Sequence, residues 1–106
     1  MKHYLFICSQ NRLRSPTAEN IFSIENKIET LSAGVDRDAE TIVSEEEILW
    51  ADAIFVMENR HKAILKQRFP KIISNKKIVV LNIPDEFEYM DPQLITILRK
   101  KMSAFL

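Results

Sequence analysis

The stretch HYLFICSQNRLRSPTAENIF, residues 3–22, decides how this chain folds. Its opening part, from His3 to Cys8, is a nearly unbroken apolar run, the pattern of a short strand covered on both faces. Polar residues follow at once, and then Ser15-Pro16, where serine can cap a helix and proline suits its first position. Ala18, Ile21 and Phe22 recur at the spacing of one helical face. The segment reads as strand, loop and helix.

Outward from it, three more runs have strand character: Ile28 to Ala33, Ala53 to Met57 and Lys77 to Asn82. The last two are continuously apolar like the first, whereas the run from Ile28 is more polar and suits a sheet edge. Helical signals lie between and after them. Ser44 with Glu47 resembles a capping box ahead of Ile48, Leu49 and Trp50, and Asn59 can cap a helix carrying Ala63, Ile64 and Leu65 that Pro70 stops. Asp91-Pro92 starts a last helix with Leu94, Ile95, Ile97, Leu98 and Met102 on its apolar side. Strands alternating with helices predict an α/β three-layer sandwich, a single domain over residues 1–106, with a four-stranded parallel sheet and helices on both faces. Ligands in such sheets sit beyond the carboxyl ends of the strands, which is where Cys8 falls. The mostly charged or small residues from Gly34 to Val43 are the expected mobile loop.

Composition narrows the function. Among 106 residues, 15 Lys+Arg balance 15 Asp+Glu, so there is no net positive field for a nucleic-acid backbone or an anionic membrane. With Cys8 as its one cysteine, the chain has neither an internal disulfide nor a cysteine cage for zinc, which suits a reducing compartment. The N-terminal apolar run is too short for a signal peptide or a membrane span, and a cytoplasmic protein is expected. Gly34 is the lone glycine, which excludes a glycine-rich nucleotide fingerprint. His3 and His61 have no second ligand at metal spacing and read as structural or surface residues; no metal and no cofactor are expected. Trp50 reads as packing under a helix. The cluster Lys62, Lys66, Arg68, Lys71, Lys76 and Lys77 reads as a solvated face, with docking of an acidic phosphoprotein as its other use.

The chemistry is concentrated in CSQNRLRSPTAE, from Cys8 to Glu19. A cysteine, a short loop, an arginine and a serine stand between a strand and a helix N-terminus. Such a loop can wrap a tetrahedral oxyanion with backbone N–H groups, and the helix dipole adds positive potential that favours the thiolate. Arg14 can donate two parallel hydrogen bonds to phosphate oxygens. Ser15 can cap the helix or donate to the Cys8 sulfur.

With these residues in place the sequence resembles the low-molecular-weight protein tyrosine phosphatases, including their short bacterial relatives. The resemblance extends to Ser32-Ala33-Gly34, to ADAIFVMENRHKAIL from Ala51 to Leu65, and to IPDEFEY from Ile83 to Tyr89. It implies that Cys8 attacks phosphorus to form a phosphocysteine and that Arg14 stabilises the equatorial oxygens. It further implies that Asn11 holds the loop's backbone, Ser15 stabilises the thiolate and Ser32 supports Asn11. Ser9, Gln10, Arg12 and Leu13 complete the substrate loop. Gln10 stands where the family usually has glycine, Leu13 replaces the second loop cysteine of many members, and the stretch between Gly34 and Ser44 is shorter than usual.

The family's general acid is an aspartate followed by proline and an aromatic residue after the fourth strand. Asp85 leaves that strand directly and is favoured; Asp91 has the proline neighbour, Pro92, but reads equally as a helix start. Phe87 and Tyr89 would then flank an aryl phosphate. The expected activity is hydrolysis of a phosphomonoester, phosphotyrosine on a protein or a small aryl phosphate. Its rivals are arsenate reduction, for which Cys8 would need an external thiol, and a phosphate- or phosphopeptide-binding module without turnover.

Overall fold

The computed structural model describes residues 1–25 and 27–106. Its strands are β1 (Lys2–Cys8), β2 (Ile28–Gly34), β3 (Ala53–Val56) and β4 (Lys77–Val80), and its helices are α1 (Arg14–Phe22), α2 (Glu45–Trp50), α3 (Asn59–Arg68), α4 (Pro70–Ile73) and α5 (Pro92–Met102). A 3-10 turn, Ser103–Phe105, ends the chain. The strands form one four-stranded sheet in the order β2-β1-β3-β4, parallel throughout. The chain runs outward from β1 to β2, crosses back over β1 to β3 and continues to β4. That reversal makes the carboxyl end of β1 a topological switch point, where a crevice opens.

Alternation along the strands feeds two cores. Tyr4, Phe6 and Cys8 of β1, with Phe55 of β3, face α1 and α5, where Ala18, Ile21, Phe22, Leu94, Leu98 and Met102 meet them. Leu5, Ile7, Ile54 and Val56 face the other side, against Ile48, Leu65 and Ile73 of α2, α3 and α4. The Phe6 ring lies 5.8 Å from Phe22 and 5.4 Å from Phe55. Burial of each such side chain contributes about 1.5–3 kcal/mol. Among the described residues no helix is long and apolar enough to cross a membrane.

Helix boundaries lie within a residue or two of their local signals. Asp91 caps α5, its Oδ1 accepting from the Gln93 amide at 2.8 Å, and the Ser44 amide donates to Glu47 Oε1 at 2.9 Å. Ser15 is not a cap: Leu13 holds that position, and Ser15 sits inside the first turn with its hydroxyl against Cys8. Glu58, not Asn59, occupies the N-cap of α3. Pro70 does end α3, but it also opens α4 as its first residue. β2 is an edge as its polarity implied; β4 is an edge too, and its Ile78, Val79 and Val80 are only half-buried because no further strand covers them.

Candidate active site

The loop from Ser9 to Leu13 leaves β1 at the switch point and turns directly into α1. Its left-handed residue is Asn11, with φ of 56°, a conformation asparagine adopts more readily than most residues. Gln10 has no positive φ, so glycine's freedom is not required there and the loop closes with glutamine in place. The glycine that matters is Gly34, paired with Cys8 in the sheet register. A Cβ at Gly34 would lie 2.6 Å from the Ser9 carbonyl oxygen, 2.8 Å from Ala39 Cβ and 3.0 Å from the Asn11 nitrogen.

Behind the loop a chain of hydrogen bonds runs to the sulfur. The Glu19 carboxylate only accepts, so the Ser32 hydroxyl donates to it and in turn accepts from Asn11 Nδ2 at 2.9 Å. The same Nδ2 donates to Ser15 Oγ at 3.0 Å, and that hydroxyl lies 2.9 Å from Cys8 Sγ and 3.4 Å from the Ala33 carbonyl, so either the hydroxyl or the thiol can be the donor between Ser15 and Cys8. The Asn11 backbone N–H also donates to Cys8 Sγ, at 3.2 Å.

Arg14 is buried, with 1% of its surface exposed. Its Nη1 donates to Glu58 Oε2 at 2.6 Å and to the Ile83 carbonyl at 2.8 Å, which uses both of that nitrogen's hydrogens. The opposite edge has only long contacts, Nη2 to Ser9 Oγ at 3.4 Å and Nε to Asp85 Oδ1 at 3.7 Å. That edge is the fork that matches a tetrahedral anion. It borders a recess of about 30 Å³ lined by Cys8, Ser9, Gln10, Arg12, Leu13, Arg14 and Asp85. A far larger cleft of about 570 Å³ lies over α3, α4 and β4, lined by Lys62, Lys66 and Lys76, but no group of the cysteine loop reaches it. The chemistry, not the volume, identifies the smaller one as the candidate site.

The sequence-predicted residues therefore divide. Asn11 and Ser15 stand behind the recess and hold the sulfur. Asp85 is on its wall, whereas Asp91 is committed to the α5 cap. Phe87 and Tyr89 are not on that wall: Phe87 packs against the core beside α5, and the Tyr89 hydroxyl accepts from Asn20 Nδ2 at 3.2 Å. The Gly34–Val43 stretch, expected as the mobile loop, is tied to the cysteine loop. The Asp36 amide donates to the Ser9 carbonyl at 2.9 Å, the Glu40 amide to the Gln10 carbonyl at 3.0 Å, and Arg12 pairs with Glu40 at 3.2 Å.

Sequence reasoning missed Glu58 and Arg60 and read His61 as structural or surface. All three stand at the carboxyl end of β3, the neighbour of β1, so the strand-end rule that located Cys8 also points at them. His61 is fully buried; its Nδ1 accepts from the Glu58 amide at 3.1 Å and its Nε2 lies 3.0 Å from Ser9 Oγ. Burial, reinforced by the Arg14 charge and opposed by Glu58, lowers its pKa to about 4. The hydrogen bond from Arg14 holds the Glu58 carboxyl below its ordinary value.

No protein-family model and no curated protein matches the chain. Solved structures do match its fold. A low molecular weight protein tyrosine phosphatase from T. tengcongensis superposes with a TM-score of 0.79 at 22% identity, covering 100% of both chains. The YwlE arginine phosphatase from Geobacillus stearothermophilus gives 0.77 at 22% identity, over 98% of this chain and 92% of that one. SP-PTP, a low molecular weight protein tyrosine phosphatase from Streptococcus pyogenes, gives 0.80 at 16% identity, over 100% of this chain and 94% of that one. The chain has the fold of the low-molecular-weight protein tyrosine phosphatases.

Proposed function

We propose that this chain, built on the low-molecular-weight phosphatase fold, hydrolyses phosphomonoesters through a phosphocysteine on Cys8, its substrate being phosphotyrosine on a protein or a small aryl phosphate. The observation that carries the reading is the division of Arg14: one end is spent on Glu58 and Ile83, and the Nε and Nη2 edge, held only by long contacts, shares a recess with a sulfur that accepts from the Asn11 amide and lies against the Ser15 hydroxyl.

In the proposed cycle the Cys8 thiolate attacks phosphorus in line, the S–P bond forms and the P–O bond to the leaving group breaks. Arg14 and the loop amides hold the equatorial oxygens as they gather charge. Asp85 gives its proton to the leaving oxygen, then takes one from the water that attacks the phosphocysteine, so phosphate and free thiolate are regenerated. A cytoplasmic setting keeps the lone thiol reduced.

The test is hydrolysis of p-nitrophenyl phosphate at mildly acidic pH by the wild type and by Cys8→Ser. The wild type turns over, while the variant loses turnover and keeps phosphate affinity, because serine fits the loop but is a poor nucleophile at neutral pH. Cys8→Ser activity within about tenfold of the wild type sinks the proposal, since losing an activated nucleophile costs orders of magnitude. Solved neighbours include both a named tyrosine phosphatase and a named arginine phosphatase, so phosphotyrosine and phosphoarginine peptides run side by side determine the leaving group.

A further inference from the structure

Ser9 contributes more than a backbone amide. Its Oγ is buried beside the Arg14 fork and has three nitrogen neighbours: Arg60 Nη2 at 2.5 Å, His61 Nε2 at 3.0 Å and Arg14 Nη2 at 3.4 Å. The two arginines can only donate. Histidine is the ambiguous partner, and the backbone resolves it. The Glu58 amide points its hydrogen at His61 Nδ1, so that nitrogen carries no proton; in the neutral ring the proton is then on Nε2, which donates to Ser9. Arg14, Glu58, Arg60 and Asp85 are the charged groups around the ring; burial and the two arginines keep it neutral at physiological pH, against the opposing pull of Glu58 and Asp85.

All three neighbours of Ser9 Oγ are therefore donors. A hydroxyl oxygen has two lone pairs, and here they are saturated. Its own hydrogen must turn away from the cluster, and among the described residues no acceptor receives it. Ser9 lines the recess that holds Cys8 and the open edge of Arg14. We propose that the Ser9 hydroxyl is a side-chain donor to the anion in that recess, and that His61 is the positioning residue that turns it there. Arg60, tethered on its far side to Asp36 at 3.9 Å, reinforces the same orientation. This inference rests on the anion-binding part of the function proposed above.

The experiment measures inorganic phosphate and vanadate binding to the wild type, Ser9→Ala and Ser9→Thr, together with nitrogen NMR of His61 in the wild type. Loss of a hydrogen bond to a charged group predicts binding weakened roughly 10–100-fold in Ser9→Ala, and Ser9→Thr, which keeps the hydroxyl, restores it to within about threefold. The His61 spectrum shows the proton on Nε2 at neutral pH. Unchanged anion affinity in Ser9→Ala overturns the donor role. A proton on Nδ1 overturns the positioning role of His61, and this measurement stands even if Ser9→Ala fails to fold. A wild type that binds neither anion overturns the inference along with the recess itself. Anion binding without hydrolysis of aryl phosphates overturns only the phosphatase reading, and Ser9→Ala then still decides the donor role.

Discussion

The Arg14 guanidinium and the Glu58 carboxylate meet at 2.6 Å, with 2% and 35% of their side chains exposed. The contact joins the start of α1 to the start of α3 across the switch point, and it sets the plane of the guanidinium before any ligand arrives. Preorganised donors of this kind need no rearrangement as charge develops.

Glu58→Ala leaves a buried guanidinium short of its partner. Breaking a buried pair costs about 3–5 kcal/mol, and the partial exposure of Glu58 reduces the expected loss to roughly 1–3 kcal/mol. Urea unfolding measures it, and kcat should fall together with anion affinity as the fork loses its orientation. Full activity in Glu58→Ala would mean that Ile83 alone positions the arginine.

Arg14→Lys replaces a planar fork with a point charge. Turnover of p-nitrophenyl phosphate should fall by at least about 10²-fold, the usual effect of removing one transition-state donor. Near-normal kcat/KM would reduce Arg14 to a generic positive charge.

Asp85 and Asp91 separate by leaving group. Asp85→Asn should lower kcat about 10²–10⁴-fold on an alkyl or unactivated aryl phosphate and much less on an activated one. Asp91→Asn should leave both nearly unchanged, because asparagine caps a helix about as well as aspartate. The opposite pattern of losses assigns the acid to Asp91.

His61 makes stability pH-dependent. Its unfolded value is 6.5 and its folded value about 4, so between those limits the unfolded chain binds a proton that the native one does not. Stability is therefore complete above pH 6.5 and is lost as pH falls toward 4. The Glu58 carboxyl, also held low, acts in the same direction at still lower pH. The His61 contribution is on the order of 3 kcal/mol. Thermal melting across this range should show the slope in the wild type and a flatter one in His61→Gln; identical slopes would remove His61 as the cause.

Gly34→Ala tests the close approach of β2 to the cysteine loop. Its methyl meets backbone at 2.6 Å, so the loop must shift, and overpacking of this kind costs about 1–3 kcal/mol. Phosphate affinity should fall with stability, which isothermal titration and melting read separately.

Much of this molecule is written in local pattern. The apolar run ending at Cys8 and the Asp91-Pro92 helix start depend only on neighbours in sequence, and each led to the observed element. The position of Cys8 ahead of a helix N-terminus follows from the same logic. Contacts between distant segments are different, because nothing in a residue's own neighbourhood encodes them. His61 read as an unremarkable histidine on a helix; only the pairing of β3 beside β1 brings it under Ser9, fifty-two positions earlier. The tethering of the Gly34–Val43 stretch likewise depends on β2 lying along the other side of β1. Sequence alone determined the strand–loop–helix that bears the nucleophile, since backbone propensity and hydrophobic period act over a few residues. Tertiary structure decided which end of Arg14 is held and which is open, because a buried guanidinium must find its acceptors wherever the sheet brings them.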